Sequence, residues 1–157
     1  MSALICGIDP GISGAVGFLT ETGEYRAVVD MPVVTNTTGR KQLDGLGLAA
    51  ILRRLPPAIA MIERVGPRPG EGPTGAFSFG HSLGVIVGVL AALEIPFQFV
   101  QPAVWKRAAG IPPGADKAAS IAVARQLIPS AGDHLTRIKD HGRAEALLLA
   151  HHHLTRR

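Results

Sequence analysis

The stretch Leu4-Ile5-Cys6-Gly7-Ile8-Asp9-Pro10-Gly11 decides the fold. Its first five residues are a short apolar run, and Asp-Pro-Gly closes it, the pattern of a buried strand stopped by a turn. Residues 14–20 read as a second strand, Glu21-Thr22-Gly23 as a turn, and 25–30 as a third strand. Connections this short join antiparallel neighbours, so the chain opens as an antiparallel meander.

Further along, the spacing changes. Leu46, Ala49, Ala50 and Leu52 recur at helical intervals within 44–55, and Pro56-Pro57 end that helix. A fully apolar fourth strand, 58–62, is followed by Glu63. The Thr/Asn-rich segment 32–39 has no periodicity and is expected to be a loop, as is the Gly/Pro-rich segment 64–75. A helix over 79–93, a fifth strand over 96–100, and helices over 102–109, 116–128 and 141–156 complete the chain. This order predicts an α/β fold: a five-stranded mixed sheet, three strands antiparallel and then two parallel, with helices on both faces.

The 157 residues suit a single domain, 1–157, and are too few for a two-lobed ATPase, a polymerase or a transporter. Hydrophobic residues make up 46% and aromatics only 4%, so the chain folds around an aliphatic core. Cys6 is the lone cysteine, which excludes an intrachain disulfide and a cysteine-based zinc site. The apolar stretch 77–93 contains His81 and three glycines and falls just short of a membrane span. With no basic segment and long apolar run at the N-terminus, the expectation is a soluble, cytoplasmic protein that meets no membrane. Net charge is +4, but unevenly placed: residues 1–100 hold seven basic and eight acidic side chains, residues 101–157 nine and four. A basic excess of this kind suits a polyanionic partner.

Acidic residues are scarce, and their places are informative. Asp9 and Glu63 each follow an apolar strand, so neighbouring strands bring both carboxylates to one sheet edge, where ligand sites form in such folds. Asp140 and Glu145 flank the start of the last helix. Carboxylates drawn together repel, and hard divalent cations relieve that repulsion. Two such ions can activate a water and stabilise the leaving oxygen of a phosphodiester.

Gly7-Ile8-Asp9-Pro10-Gly11, with Gly14 opening the second strand, resembles the first motif of the RuvC-like Holliday junction resolvases of the ribonuclease H-like superfamily. Met61-Ile62-Glu63 resembles their second motif. The bacteriophage branch is resembled by the run from Pro69 to Gly80, by Gln101-Pro102-Ala103-Val104-Trp105-Lys106, and by Asp140-His141-Gly142-Arg143-Ala144-Glu145-Ala146. The first motif by itself also occurs in actin-like ATPases. The resemblance implies a ribonuclease H-like fold and a homodimeric endonuclease that resolves four-way and other branched DNA. It also implies two magnesium ions, with manganese as a substitute, and ends that can be ligated. Asp9 and Glu63 carry over as metal ligands. The family's third motif usually has an acidic residue or histidine, two residues, then aspartate. Here His141 and Glu145 are four apart, one helix face, while Asp140 and Glu145 are five apart. Glu145 is the first choice of ligand, Asp140 the second, and His141 an alternate; Asp140 equally suits a helix N-cap. An RNA nuclease of the rRNA-processing type, or a non-catalytic junction-binding dimer, remains open on the same fold.

Phosphates would be met by basic side chains beside these motifs: Arg64 and Arg68, Lys106 and Arg107, Lys117, and Arg137, Lys139 and Arg143. Phe77 and Phe79 border the glycine-rich loop, and one of them is a candidate wedge at a branch point; Trp105 reads as core. Gly80, Gly84 and Gly88 weaken their helix by roughly 1 kcal/mol each against alanine. Such a stripe is kept where another backbone comes close, either the sheet or the same helix of a second copy.

Overall fold

The structure, a computed structural model, describes residues 2–156. In chain order the elements are β1 (Leu4–Asp9), β2 (Ala15–Thr20), β3 (Tyr25–Asp30), β4 (Val33–Thr35), β5 (Lys41–Leu43) and α1 (Gly45–Arg54). Then come β6 (Pro57–Glu63), α2 (Pro73–Ala92), β7 (Phe97–Val100), α3 (Pro102–Ala108), α4 (Lys117–Leu127) and α5 (His141–Thr155). Two 3-10 turns, Pro129–His134 and Ile138–Asp140, lie between α4 and α5.

The main sheet has the order β3-β2-β1-β6-β7. β1 and β2 pair antiparallel, as do β2 and β3, while β6 lies parallel to β1 and β7 parallel to β6. The expected mixed sheet is therefore present. Segment 32–39, expected to be a loop, instead supplies β4, which pairs with β5 in a separate hairpin. Its turn is built by one side chain. Asn36 Oδ1 accepts the Thr38 and Arg40 backbone N–H groups (3.0 and 2.9 Å) and the Thr38 hydroxyl (2.7 Å), a local asparagine turn.

Strand alternation divides the core in two. Ile5 and Met61 point to the face covered by α3, α4 and α5, where Trp105, Ile121, Leu147 and Leu149 are buried. Cys6, Ile8, Ala60 and Ile62 point to the face covered by α1 and α2, with Leu48, Leu52, Ile86 and Leu90. Cys6 is fully buried, which pushes its thiol pKa far up and makes it a small core hydrophobe. α5 lies directly on the sheet because two facing strand positions are glycine. A Cβ on Gly7 would overlap the Ala146 carbonyl and the Ala150 amide, and one on Gly17 would crowd the Leu147 backbone at 2.9 Å.

Two helices differ from their sequence patterns. α1 buries Leu48, Ala49, Ile51 and Leu52, and Leu46 sits outside at 85% exposure. Asp44, whose carboxylate accepts the Leu46 N–H (3.0 Å), caps that helix and sets its phase. α2 starts at Pro73, not at 79, because proline at the first helical position nucleates it earlier. At 20 residues and mean hydropathy 1.6 it is long and apolar enough to cross a membrane, so the expectation of a stretch just short of that length does not hold.

Candidate active site

The same alternation builds the site. Ile5, Gly7 and Asp9 share one face of β1, and Met61 and Glu63 share that face of β6. Ile8 pairs with Ile62, so Asp9 and Glu63 leave the sheet at adjacent strand ends on the α5 side. α5 begins hard against the β1–β2 turn. A Cβ on Gly142 would stand 2.8 Å from the Ser13 carbonyl and 3.3 Å from Asp9 Oδ2. Glycine there lets the first turn of α5 approach, and Glu145, one turn on, reaches the strand ends. Oxygen atoms of Asp9, Glu63 and Glu145 lie within 4.8 Å of one another.

The charge state of this cluster follows from its crowding. Burial and then the carboxylates of Glu145 and Glu63 push the Asp9 pKa up to about 8, against smaller opposing effects of the Gly11 backbone N–H and Lys106. Burial and Glu145 likewise raise Glu63. Two donors act the other way. The Trp105 indole Nε1–H donates to Glu63 Oε1 at 3.1 Å, and Lys106 Nζ stands 3.9 Å from Glu145 Oε1. The Ser120 hydroxyl donates to the same Glu145 oxygen at 3.4 Å. Three ionised carboxylates at this spacing repel one another, and positive charge between them relieves that repulsion. An all-oxygen set of this kind fits magnesium or manganese, and not the softer metals that take sulfur or imidazole.

Asp140 is held elsewhere. It is 2% exposed, and its carboxylate accepts the Thr136 and Arg137 backbone N–H groups (3.1 and 2.9 Å) and the Arg137 guanidinium (Nη2 to Oδ1, 2.7 Å). Arg137 holds its pKa down to about 2. These bonds occupy the carboxylate, so the structure does not bring Asp140 to the triad, and it makes no side-chain cap on α5. His141 lines the same cleft as Glu63 and Glu145, with Nδ1 3.3 Å from the Ile138 carbonyl oxygen.

That cleft, about 810 Å³, is also bordered by Arg64, Arg68, Lys106, Arg107 and Lys117. Of the other expected phosphate contacts, Arg137 is bound to Asp140, and Arg143 forms a two-pronged bridge to Asp30 (2.7 and 2.9 Å) and donates to the His134 carbonyl (3.2 Å). The Arg143 guanidinium fastens the start of α5 to the end of β3, and that of Arg137 closes the turn before α5. Lys139 is exposed nearby. Phe77 is 80% exposed at the start of α2, and Phe79 is half-buried. Sequence reasoning missed two contacts of the triad: the Trp105 N–H on Glu63, and the Ser120 hydroxyl on Glu145. A buried indole needs an acceptor, and that requirement was the available signal for the first.

Comparison with solved structures places the architecture. Thermus thermophilus RuvC in complex with a Holliday junction substrate aligns over 96% of this chain and 92% of its own, with a TM-score of 0.68 and 19% identity. The chain has the RuvC fold. The fowlpox virus resolvase, solved with Holliday junction DNA, aligns over 98% and 97% of the two chains (TM-score 0.54, 15% identity). The yeast mitochondrial Holliday junction resolvase Ydc2 aligns over 98% and 78% (TM-score 0.52, 12% identity). In sequence, 82 residues are 35% identical to the chloroplastic Holliday junction resolvase MOC1 of Chlamydomonas reinhardtii, which is 52% of this chain and 9% of that protein. The chain thus spans a small part of that relative's length. No protein-family model matches it. In this RuvC fold, Asp9, Glu63 and Glu145 come from the two central parallel strands and the helix packed across them.

Proposed function

We propose that this chain is a magnesium-dependent endonuclease that cuts four-way and related branched DNA by hydrolysing phosphodiester bonds. The observation that carries the reading is the convergence of three carboxylates from three separate elements, two of which, Glu63 and Glu145, line a cleft bordered by five cations, in a RuvC fold. The likeness to a resolvase over half of the chain supports it. Asp9, Glu63 and Glu145 would hold a pair of magnesium ions, with manganese as a substitute. When bound, such ions supply Lewis acidity and lower the pKa of water. Lys106, 3.9 Å from Glu145, sets positive charge where a scissile phosphate would enter. Arg64, Arg68, Arg107 and Lys117 would take the flanking phosphates.

The reading includes a two-fold dimer formed through α2. Only Ser82, Ile86 and Leu90 of that helix are buried, and a Cβ on Gly80, Gly84 or Gly88 would meet nothing within 4 Å. The glycines therefore do not serve the chain's own sheet. A second copy of the helix fits this apolar, small-residue face, and two active sites suit a two-fold junction.

The test compares wild type with Asp9→Asn on a synthetic four-way junction, a linear duplex and an RNA hairpin, with magnesium and with chelator. Wild type is expected to nick the junction only with magnesium, while Asp9→Asn binds it and leaves it intact. Equal cleavage by both proteins overturns the assignment of the triad. Binding without nicks by wild type makes the protein a junction-binding module, and preferred cutting of the hairpin makes it an RNA nuclease.

A further inference from the structure

α3 places its two central side chains on two different carboxylates of the triad: Lys106 beside Glu145, and Trp105 on Glu63. Lys106 has an evident electrostatic role. The Trp105 ring is fully buried among apolar residues, with Lys106 Nζ 5.4 Å from its centroid, and phenylalanine would keep an aromatic ring there at the cost of a small void. What phenylalanine lacks is the N–H. The indole donates it to Glu63 Oε1 at 3.1 Å, and among the described residues it is the only hydrogen bond that the Glu63 carboxylate accepts. The need is mutual, since a buried indole N–H requires an acceptor and a buried carboxylate requires a donor. Each carboxylate has about four acceptor sites, so one N–H leaves Oε2 and the second lone pair of Oε1 free for a cation. Trp105 is fixed in turn by the start of α3, where its own backbone N–H donates to the Gln101 carbonyl. Groups of this kind set the orientation of a metal-binding carboxylate without touching the metal.

We propose that Trp105 is a positioning residue for the metal triad, its indole N–H holding Glu63 in the orientation from which it shares a cation with Asp9 and Glu145. The inference rests on the triad being a metal site. It also makes the protein its own reporter, because Trp105 is the sole tryptophan in the chain. Emission excited at the indole reads Glu63 directly.

Two measurements test this. Wild type is titrated with magnesium while indole emission is followed, and manganese binding is counted by electron paramagnetic resonance in wild type and in Trp105→Phe. Emission should change saturably as the site fills, and Asp9→Asn should move that titration to higher magnesium. Trp105→Phe should bind manganese roughly tenfold more weakly or worse. Its junction affinity in chelator should be unchanged, and raised magnesium should restore its cleavage rate. A purely structural role would not be rescued by metal. Wild-type manganese affinity in Trp105→Phe overturns the proposal, as does emission that stays flat while metal binds. If Trp105→Phe does not fold, the wild-type emission decides alone. Failure of wild type to bind either ion removes the metal triad, and this proposal with it.

Discussion

Asp140 shows how a carboxylate of the right type in the right motif can belong to the scaffold. It accepts two backbone N–H groups and a guanidinium, and Arg143 Nη1 stands a further 3.8 Å away. Arg137 and these bonds hold its pKa at about 2, below the usual value of 3.8. The folded state therefore binds fewer protons than the unfolded chain between about pH 2 and 4, and stability falls as pH drops through that window. Above it, the contribution is fully present. Asp140→Asn is expected to lower stability by about 1.5–3 kcal/mol at neutral pH, the range for hydrogen bonds to charged groups. Thermal unfolding followed by circular dichroism should show that gap closing as pH falls towards 2, and manganese binding should be unchanged. A variant of undiminished stability that has lost manganese would restore Asp140 as a ligand. The sequence kept Asp140 as second choice of ligand, because a residue at the helix start can still turn towards the strand ends despite its spacing of five from Glu145. What the sequence did not show is Arg137 as its partner, because that contact depends on a 3-10 turn with no periodicity of its own.

At the scale of elements, legibility follows the length of the pattern. β1, β2 and β3 are six residues each with turn residues between them, and their pairing was readable. β4 and β5 are three residues each, too short to alternate visibly, and their pairing depends on the Asn36 side chain closing the turn. Composition revealed the apolar character of α2 but not its phase, because the apolar residues surround the whole helix. The structure settles that its glycine stripe faces outward. A dimer through this stripe makes Gly84 sensitive to size alone. Gly84→Arg has open space in the lone chain and replaces a poor helix former by a good one, a gain of up to about 1 kcal/mol. Sedimentation is expected to find wild type dimeric and Gly84→Arg monomeric, with unfolding of the variant at no lower temperature. A monomeric wild type would end the dimer reading, and co-flotation of wild type with lipid vesicles would assign the same face to a bilayer.

For the whole molecule, the useful division is between cations the fold has engaged and cations it has left at the cleft. The excess in residues 101–157 marked the basic third of the chain, but a count of charges cannot separate the two kinds. Arg143 is held by Asp30 and the His134 carbonyl, joining β3 to α5 across 113 residues of sequence. Arg68 and Lys117 border the cleft from the loop after β6 and the start of α4, elements that meet only in the folded chain. Lys117 at a helix N-terminus opposes the helix dipole, a local cost that phosphate binding would offset. Each phosphate neutralised on binding duplex arms steepens the fall of log affinity with log salt by about 0.9. Arg68→Ala and Lys117→Ala are therefore each expected to weaken junction binding and to reduce that slope by up to about 0.9, without lowering stability. Arg143→Ala should do the reverse, lowering stability because Asp30 and the start of α5 lose their shared anchor, while the salt slope at a temperature where it is folded stays that of wild type. Fluorescence anisotropy of a labelled junction across a salt series, in chelator so that nothing is cut, separates the two classes. An unchanged slope in both Arg68→Ala and Lys117→Ala would take the DNA path away from this cleft, and with it the link between the carboxylate triad and a phosphate backbone.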